Sequence, residues 1–328
     1  MIVILKYLCK ITRVKKGVKS MSVVFLVIGI LFLVKGADMF VDGASSIAAN
    51  LKIPTIIVGL TIVAFGTSAP EAAVSVTAAL AGSNEIAISN VVGSNIFNLM
   101  AVVGAAAMIM KMHVQESIIK EEFPILIVAS LLMVVFCFTG SEISRIEALI
   151  FLVGIIAYVV RCVLNALKDR EHLQVEPGKY GTLVAILFSI LGMAGIVLGA
   201  DFVVDGASSI AKSLGVSETM IGLTLVSIGT SLPEFVTSVV AAKKGEVDLA
   251  LGNVIGSNLF NILFILGLSG TIIPIPFASS MNIDIIIMLG CTLFVYVVAR
   301  TKKSFGFASG LFMVAFIIAY LAFVCVRA

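Results

Sequence analysis

Apolar runs near 20 residues long recur from residue 22 to residue 326, and the short stretches between them carry most of the charge. That length suits a helix crossing roughly 30 Å of hydrocarbon. In order, the runs predict ten helices: one at 22–49, two at 54–80, three at 86–109, four at 123–139 and five at 143–164, then six at 181–212, seven at 216–242, eight at 249–273, nine at 283–299 and ten at 306–326. Helices two and seven are each interrupted, at Gly66–Pro70 and at Gly229–Pro233. Proline offers no N–H to the helical ladder, and its ring clashes with the carbonyl four residues back. In lipid such a break survives only where the freed backbone faces protein or a water-filled cavity.

The polar positions then repeat. GLTIVAFGTSAPE at 59–71 returns as GLTLVSIGTSLPE at 222–234, GADMFVDGASSIA at 36–48 as GADFVVDGASSIA at 199–211, and SNVVGSNIFN at 89–98 as GNVIGSNLFN at 252–261. All three share one offset of 163 residues (222 − 59, 199 − 36, 252 − 89), which marks a duplicated half. Five helices per half is an odd number, so the halves are expected to cross the membrane in opposite senses. The predicted fold is an all-α membrane protein with ten transmembrane helices in two inverted five-helix repeats, broken at helices two and seven.

Charge orients that plan. With Lys35 and the residues before Met21 set aside, the connections after the odd-numbered helices carry twelve lysines and arginines, against three on the other side. The positive-inside rule then puts the connector at 165–180 in the cytoplasm and both termini outside. Six basic residues before Met21 run against this assignment. Residues 1–21 are therefore read as an N-terminal extension, 22–164 as the first repeat, 165–180 as a cytoplasmic connector and 181–326 as the second repeat.

Composition agrees with the class. The chain of 328 residues is 60% hydrophobic and 12% charged, about half the charge of a soluble chain. The five cysteines are scattered without CxxC or Cys/His spacing, which suggests neither a zinc site nor a disulfide framework. His113 and His172 stand alone and are read as loop residues. The expected setting is the cell membrane, with the lipid bilayer as partner and no nucleic acid.

The chemistry gathers at the interrupted helices. A carboxylate at mid-membrane costs roughly 3 kcal/mol on insertion scales, so Glu71 and its repeat Glu234 call for a function. Thr67 and Glu71 are four residues apart and share a helix face. Hydroxyl, carboxylate and loosened carbonyl are hard oxygen ligands of the kind that suit dehydrated Na⁺ or Ca²⁺. Asn90, Ser94 and Asn98 form a stripe at four-residue steps, repeated as Asn253, Ser257 and Asn261. Alone such a stripe reads as close helix packing, but its recurrence beside the two glutamates tips it toward ion ligation. Asp38 and Asp42, repeated as Asp201 and Asp205, could line a cation vestibule. The preferred reading is a helix end at the interface, with Lys35 snorkelling or pairing to Asp38.

GxTxxxxGTSxPE followed by GSNxFN, both occurring twice, resembles the α-repeats of the cation/Ca²⁺ exchanger superfamily, most closely the Na⁺/Ca²⁺ exchanger branch. The resemblance covers residues 22–326. It implies a secondary antiporter, not an enzyme, that exchanges Na⁺ for Ca²⁺ by alternating access, electrogenically, as a monomer and with no cofactor beyond the transported ions. It also implies a midplane site between helices two, three, seven and eight. Carried over by motif, Glu71 and Glu234 are the central carboxylates. Thr67, Ser68, Thr230 and Ser231 flank them, with the main-chain carbonyls of Ala64 and Ser227. Ser94, Asn98, Ser257 and Asn261 are the ligands from the other helix pair. One departure is Asn261, where some relatives carry Asp. The alternative is a Ca²⁺/H⁺ or other cation/H⁺ antiporter using the same glutamates.

Overall fold

The computed structural model of the chain describes residues 20–82, 85–140, 142–169, 177–216, 227–276 and 281–327. In the first half, α1 (Met21–Leu51) is followed by a bent pair, α2 (Thr55–Thr67) and α3 (Ala69–Leu80), then by α4 (Ile86–Ile109), α5 (Ile118–Thr139) and α6 (Arg145–Lys168). The second half runs through α7 (Thr182–Ser213), the pair α8 (Ser227–Thr230) and α9 (Leu232–Lys243), then α10 (Val247–Ile272), α11 (Asn282–Lys302) and α12 (Phe307–Arg327). Among the described residues, eight helices are individually long and apolar enough to cross a membrane, and the α2–α3 pair taken as one span makes nine. The chain is a multi-pass helical membrane protein. The N-terminal stretch 1–19, His172, and the start of predicted helix seven at 217–226 lie outside the described residues.

The interrupted helices break at a serine. Ser68, with φ −84° and ψ 5°, ends α2 and turns the chain through 47° into α3. Ser231 stands between α8 and α9 with nearly the same backbone, φ −90° and ψ 4°. Pro70 and Pro233 then fall in the first turn of the following helix. N–H groups there have no intrahelical acceptor, so proline loses nothing. Glu71 and Glu234 occupy the same first turns, where the helix dipole favours negative charge.

Predicted boundaries shift most at α5, which begins at Ile118 instead of 123. The added turn, Ile118–Glu122, is a π-helical one. Glu122 is buried there with Arg161 of α6 donating to it and Tyr158 donating at 2.9 Å, while the exposed Glu121 meets the same arginine.

The halves meet symmetrically. A Cβ on Gly36 would lie 2.7 Å from the carbonyl oxygen of Gly192, and one on Gly29 would lie 2.8 Å from that of Gly199. Residue numbers fall along α7 as they rise along α1, so this repeat-related pair is antiparallel. Four two-residue strands obey the same exchange: β1 (Met112–His113), β2 (Glu142–Ile143), β3 (Ile275–Pro276) and β4 (Ser304–Phe305), with β1 pairing β4 and β2 pairing β3. At the centre lie α4 and α10, 72% and 94% buried over their most apolar windows, whereas α12 is 17% buried and borders the surroundings.

Candidate cation site

Glu71 and Glu234 are fully buried, at 0% exposure, at the two helix breaks. Each is held by the serine of the opposite half: Ser231 donates to Glu71 Oε1 at 3.0 Å, and Ser68 donates to Glu234 Oε1 at 2.8 Å. Thr230 and Thr67 lie beside Glu71 and Glu234 respectively, and the Thr67 hydroxyl donates to the main-chain carbonyl of Val63 at 3.1 Å. Ser94 of α4 lies 3.0 Å from Ser231 Oγ, and Ser257 of α10 lies 3.4 Å from Thr67 Oγ1. Among the described residues, neither glutamate forms an ion pair with a basic side chain.

One oxygen of each carboxylate, Oε2, is buried without a hydrogen-bond partner, and so are Oδ1 of Asn98 and Oδ1 of Asn261. Buried polar atoms normally find partners. Two repeat-related pairs of orphaned oxygens, two of them on carboxylates, make a donor set with two formal negative charges and nothing but oxygen. This set fits a hard, dehydrated cation. It contains only two acidic side chains, consistent with the lack of any cluster of three or more His, Cys, Asp or Glu among the described residues.

The structure thus links eight predicted residues, Thr67, Ser68, Glu71, Ser94, Thr230, Ser231, Glu234 and Ser257, and places Asn98 and Asn261 about one turn beyond Ser94 and Ser257 on α4 and α10. Of the two predicted carbonyls, that of Ala64 already accepts from Ser68 N–H at 3.0 Å and from the Thr67 hydroxyl at 3.3 Å. In the second half, Ser231 N–H donates to the carbonyl of Ile228 at 3.1 Å. The stripe residues Asn90 and Asn253 brace the broken helices by donating to Ser75 at 3.0 Å and to Ser238 at 2.9 Å. Sequence reasoning passed over Asn95 and Asn258, buried side chains that hydrogen-bond Asn261 and Asn98. Their recurrence in both copies of GSNxFN was the available signal.

Two cavities approach this centre. One, of about 590 Å³, is lined by Pro70, Asp201, Asp205 and Thr230. The other, of about 380 Å³, is lined by Asn90, Ser94, Phe97, Ile228 and the hydrogen-bonded set Asp284, Tyr320 and Arg327. The repeat-equivalent positions are filled instead. Asp38, for which Lys35 was the expected partner, and Asp42 hold Lys244 at 2.7 and 2.6 Å, and Asp42 also holds Lys179 at 2.8 Å. The preference for Lys35 overlooked that the connector and the end of α9 fold back over α1. Phe65 and Phe260, counterparts of Ile228 and Phe97, pack edge to face at 5.0 Å.

Comparison with known proteins meets this geometry. The sodium/calcium exchanger protein family model matches residues 21–164 and 184–326. CaxA of Alkalimonas amylolytica is 42% identical over 83% of this chain and 88% of its own length. The sodium/calcium exchanger MaX1 of Methanosarcina acetivorans is 34% identical over 92% of this chain and 98% of its own. The solved structure of the sodium-calcium exchanger NCX_Mj soaked with 2.5 mM Na⁺ and 0.1 mM Ca²⁺ superimposes with a TM-score of 0.82 at 29% identity, covering 92% of this chain and 98% of that one. With a family model matched in both halves and relatives aligned along nearly the whole length, this membrane protein belongs to the sodium/calcium exchanger family, a family of transporters and not of enzymes.

Proposed function

We propose that the chain is a secondary antiporter that exchanges Na⁺ for Ca²⁺ by alternating access, electrogenically and as a monomer, with no resident cofactor. The observation that carries the reading is the pair of fully buried carboxylates, each with one unpartnered oxygen and, among the described residues, no ion pair to a basic side chain. A Ca²⁺ ion balances their charge, and the amide oxygens of Asn98 and Asn261 with the hydroxyls of Thr67, Ser68, Ser94, Thr230, Ser231 and Ser257 complete an oxygen shell. The carbonyls of Ala64 and Ser227 join it when the helix breaks loosen.

Ten spans in two inverted repeats follow from the same reading. Antiparallel packing of α1 on α7 and the exchanged strand pairs support it, as does the excess of basic residues on one side. The repeat units are 22–164 and 181–326, joined by the cytoplasmic connector. The end with the two cavities then faces outside, and the end held by Lys179 and Lys244 faces the cytoplasm. Because the two ends are built from equivalent residues, opening one and filling the other is a single rearrangement with two outcomes, which is what alternating access requires.

Uptake of ⁴⁵Ca²⁺ into proteoliposomes tests the proposal. Uptake should follow an outward Na⁺ gradient and stop when the gradient is abolished. Uptake driven by a pH gradient alone would replace Na⁺ by H⁺ as the coupling ion, and uptake needing neither gradient would overturn antiport.

A further inference from the structure

We infer that Asn95 and Asn258 are positioning residues: a crossed amide clasp, one arm from each half, that fixes which atom Asn98 and Asn261 turn toward the transported ion. The inference rests on the cation-site reading above and adds residues that contact no ion.

The clasp starts at the backbone. Asn95 Nδ2 donates to the main-chain carbonyl of Asn258 at 3.3 Å, and Asn258 Nδ2 donates to that of Asn95 at 3.3 Å. A carbonyl can only accept, so the nitrogen of each clasp amide must face it. Each clasp oxygen is thereby turned the other way. Asn95 Oδ1 accepts from Asn261 Nδ2 at 3.0 Å, and Asn258 Oδ1 accepts from Asn98 Nδ2 at 3.1 Å. With their nitrogens committed, Asn98 and Asn261 have only Oδ1 left, and those are two of the buried oxygens without a partner. Asparagine oxygen and nitrogen are nearly isosteric, so without the clasp nothing in the shape of the side chain prevents the NH₂ group from turning toward the cation. All four side chains are buried, at 0–1% exposure, so water cannot substitute for the missing partner.

The arrangement obeys the repeat, since 95 and 258 differ by 163 (258 − 95), as do 98 and 261. It also crosses the halves, because each clasp residue orients the ligand of the other half. A purely structural pair would stabilise α4 against α10 without that specificity.

A double-mutant cycle on Ca²⁺ binding by the purified full-length protein, read as ⁴⁵Ca²⁺ affinity, separates the possibilities. Asn95→Ala should weaken binding about 10- to 100-fold, as loss of a ligand-orienting partner does. In an Asn261→Ala background the same change should add less than about twofold, because the amide it orients is gone. Asn95→Ala combined with Asn98→Ala should instead multiply the two effects. Asn258→Ala should mirror this pattern with Asn98 as its coupled partner. If Asn95→Ala fails to fold, Asn95→Leu, which nearly keeps the volume but removes both the donor and the acceptor toward Asn261, enters the same cycle. Equal coupling to Asn98 and Asn261, or no loss of affinity, overturns the clasp. Unchanged Ca²⁺ binding in Glu71→Gln would overturn the underlying site reading instead, and that arm is independent of Asn95.

Discussion

A buried carboxylate without a basic partner must be compensated by something, and at Glu71 and Glu234 the compensation is partial. Each accepts hydroxyl hydrogen bonds from the opposite half at one oxygen and leaves the other bare. An isolated buried charge is strongly unfavourable, and in the proposed function a cation is the missing partner. Glu71→Gln and Glu234→Gln should each abolish Na⁺-driven Ca²⁺ uptake while leaving thermal unfolding in detergent cooperative. The amide keeps the shape but removes one of two charges a dehydrated divalent ion needs. Full transport by either variant would show that the charge lies elsewhere. These glutamates were legible in the sequence because an ionisable group in an apolar run is expensive wherever it occurs. Asn95 and Asn258 were not, because they lie one residue off the four-residue stripe and act on other side chains. The partners of Asp38 and Asp42 were equally hidden: Lys179 and Lys244 lie more than 130 residues away in sequence (179 − 42, 244 − 38).

At the scale of elements, hydropathy reported length well and internal geometry poorly. The extent of most helices followed from the need to cover hydrocarbon, and the breaks in two of them from GTSxPE. The π-helical turns at Asn98–Val102 and Phe260–Ile265 left no hydropathy signal, since one extra residue in a turn changes neither apolar content nor length appreciably. They begin at or beside Asn98 and Asn261, where wider turns commonly accompany function. Glycine, by contrast, was uninformative until its neighbours were known. Gly36 lies where α1 and α7 touch backbone to backbone, with the Gly192 carbonyl 2.7 Å from a built Cβ, whereas Gly290 of α11 has nothing within 4 Å. Gly36→Ala should therefore destabilise by about 1–3 kcal/mol through overpacking. Gly290→Ala should be neutral or stabilising by up to ~1 kcal/mol through helix propensity. Melting temperatures in one detergent compare them directly, and equal shifts would mean that the α1–α7 contact is looser than its geometry indicates.

Across the whole molecule the two ends are built from the same sequence but not the same charges. Lys244, which grips Asp38 and Asp42, has Ala81 as its repeat counterpart (244 − 163), so the end lined by Asp201 and Asp205 lacks that lysine. Lys244→Ala should therefore weaken closure at the end proposed to face the cytoplasm. A cysteine replacing Thr237, fully buried three residues after Glu234 on α9, should become more reactive to a thiol reagent from that side once Lys244 is removed, in a background without the native cysteines. Unchanged labelling would deny Lys244 a role in closure. The charge count of the site carries a second consequence. Two carboxylates balance one Ca²⁺, whereas three Na⁺ would leave one surplus positive charge held by the dipoles of Thr67, Ser68, Thr230 and Ser231. Three-for-one exchange then moves one net charge per cycle, and 100 mV acts on that charge with about 2.3 kcal/mol. In Na⁺-loaded proteoliposomes each turnover carries that charge outward, so an inside-positive potential clamped with valinomycin should accelerate Ca²⁺ uptake and an inside-negative one should slow it. With no further acidic side chain at Asn98 or Asn261, no other charge in the site can cancel the surplus. Uptake that ignores the clamped potential would mean two Na⁺ per Ca²⁺, the one stoichiometry that the pair of glutamates balances in both directions of the cycle.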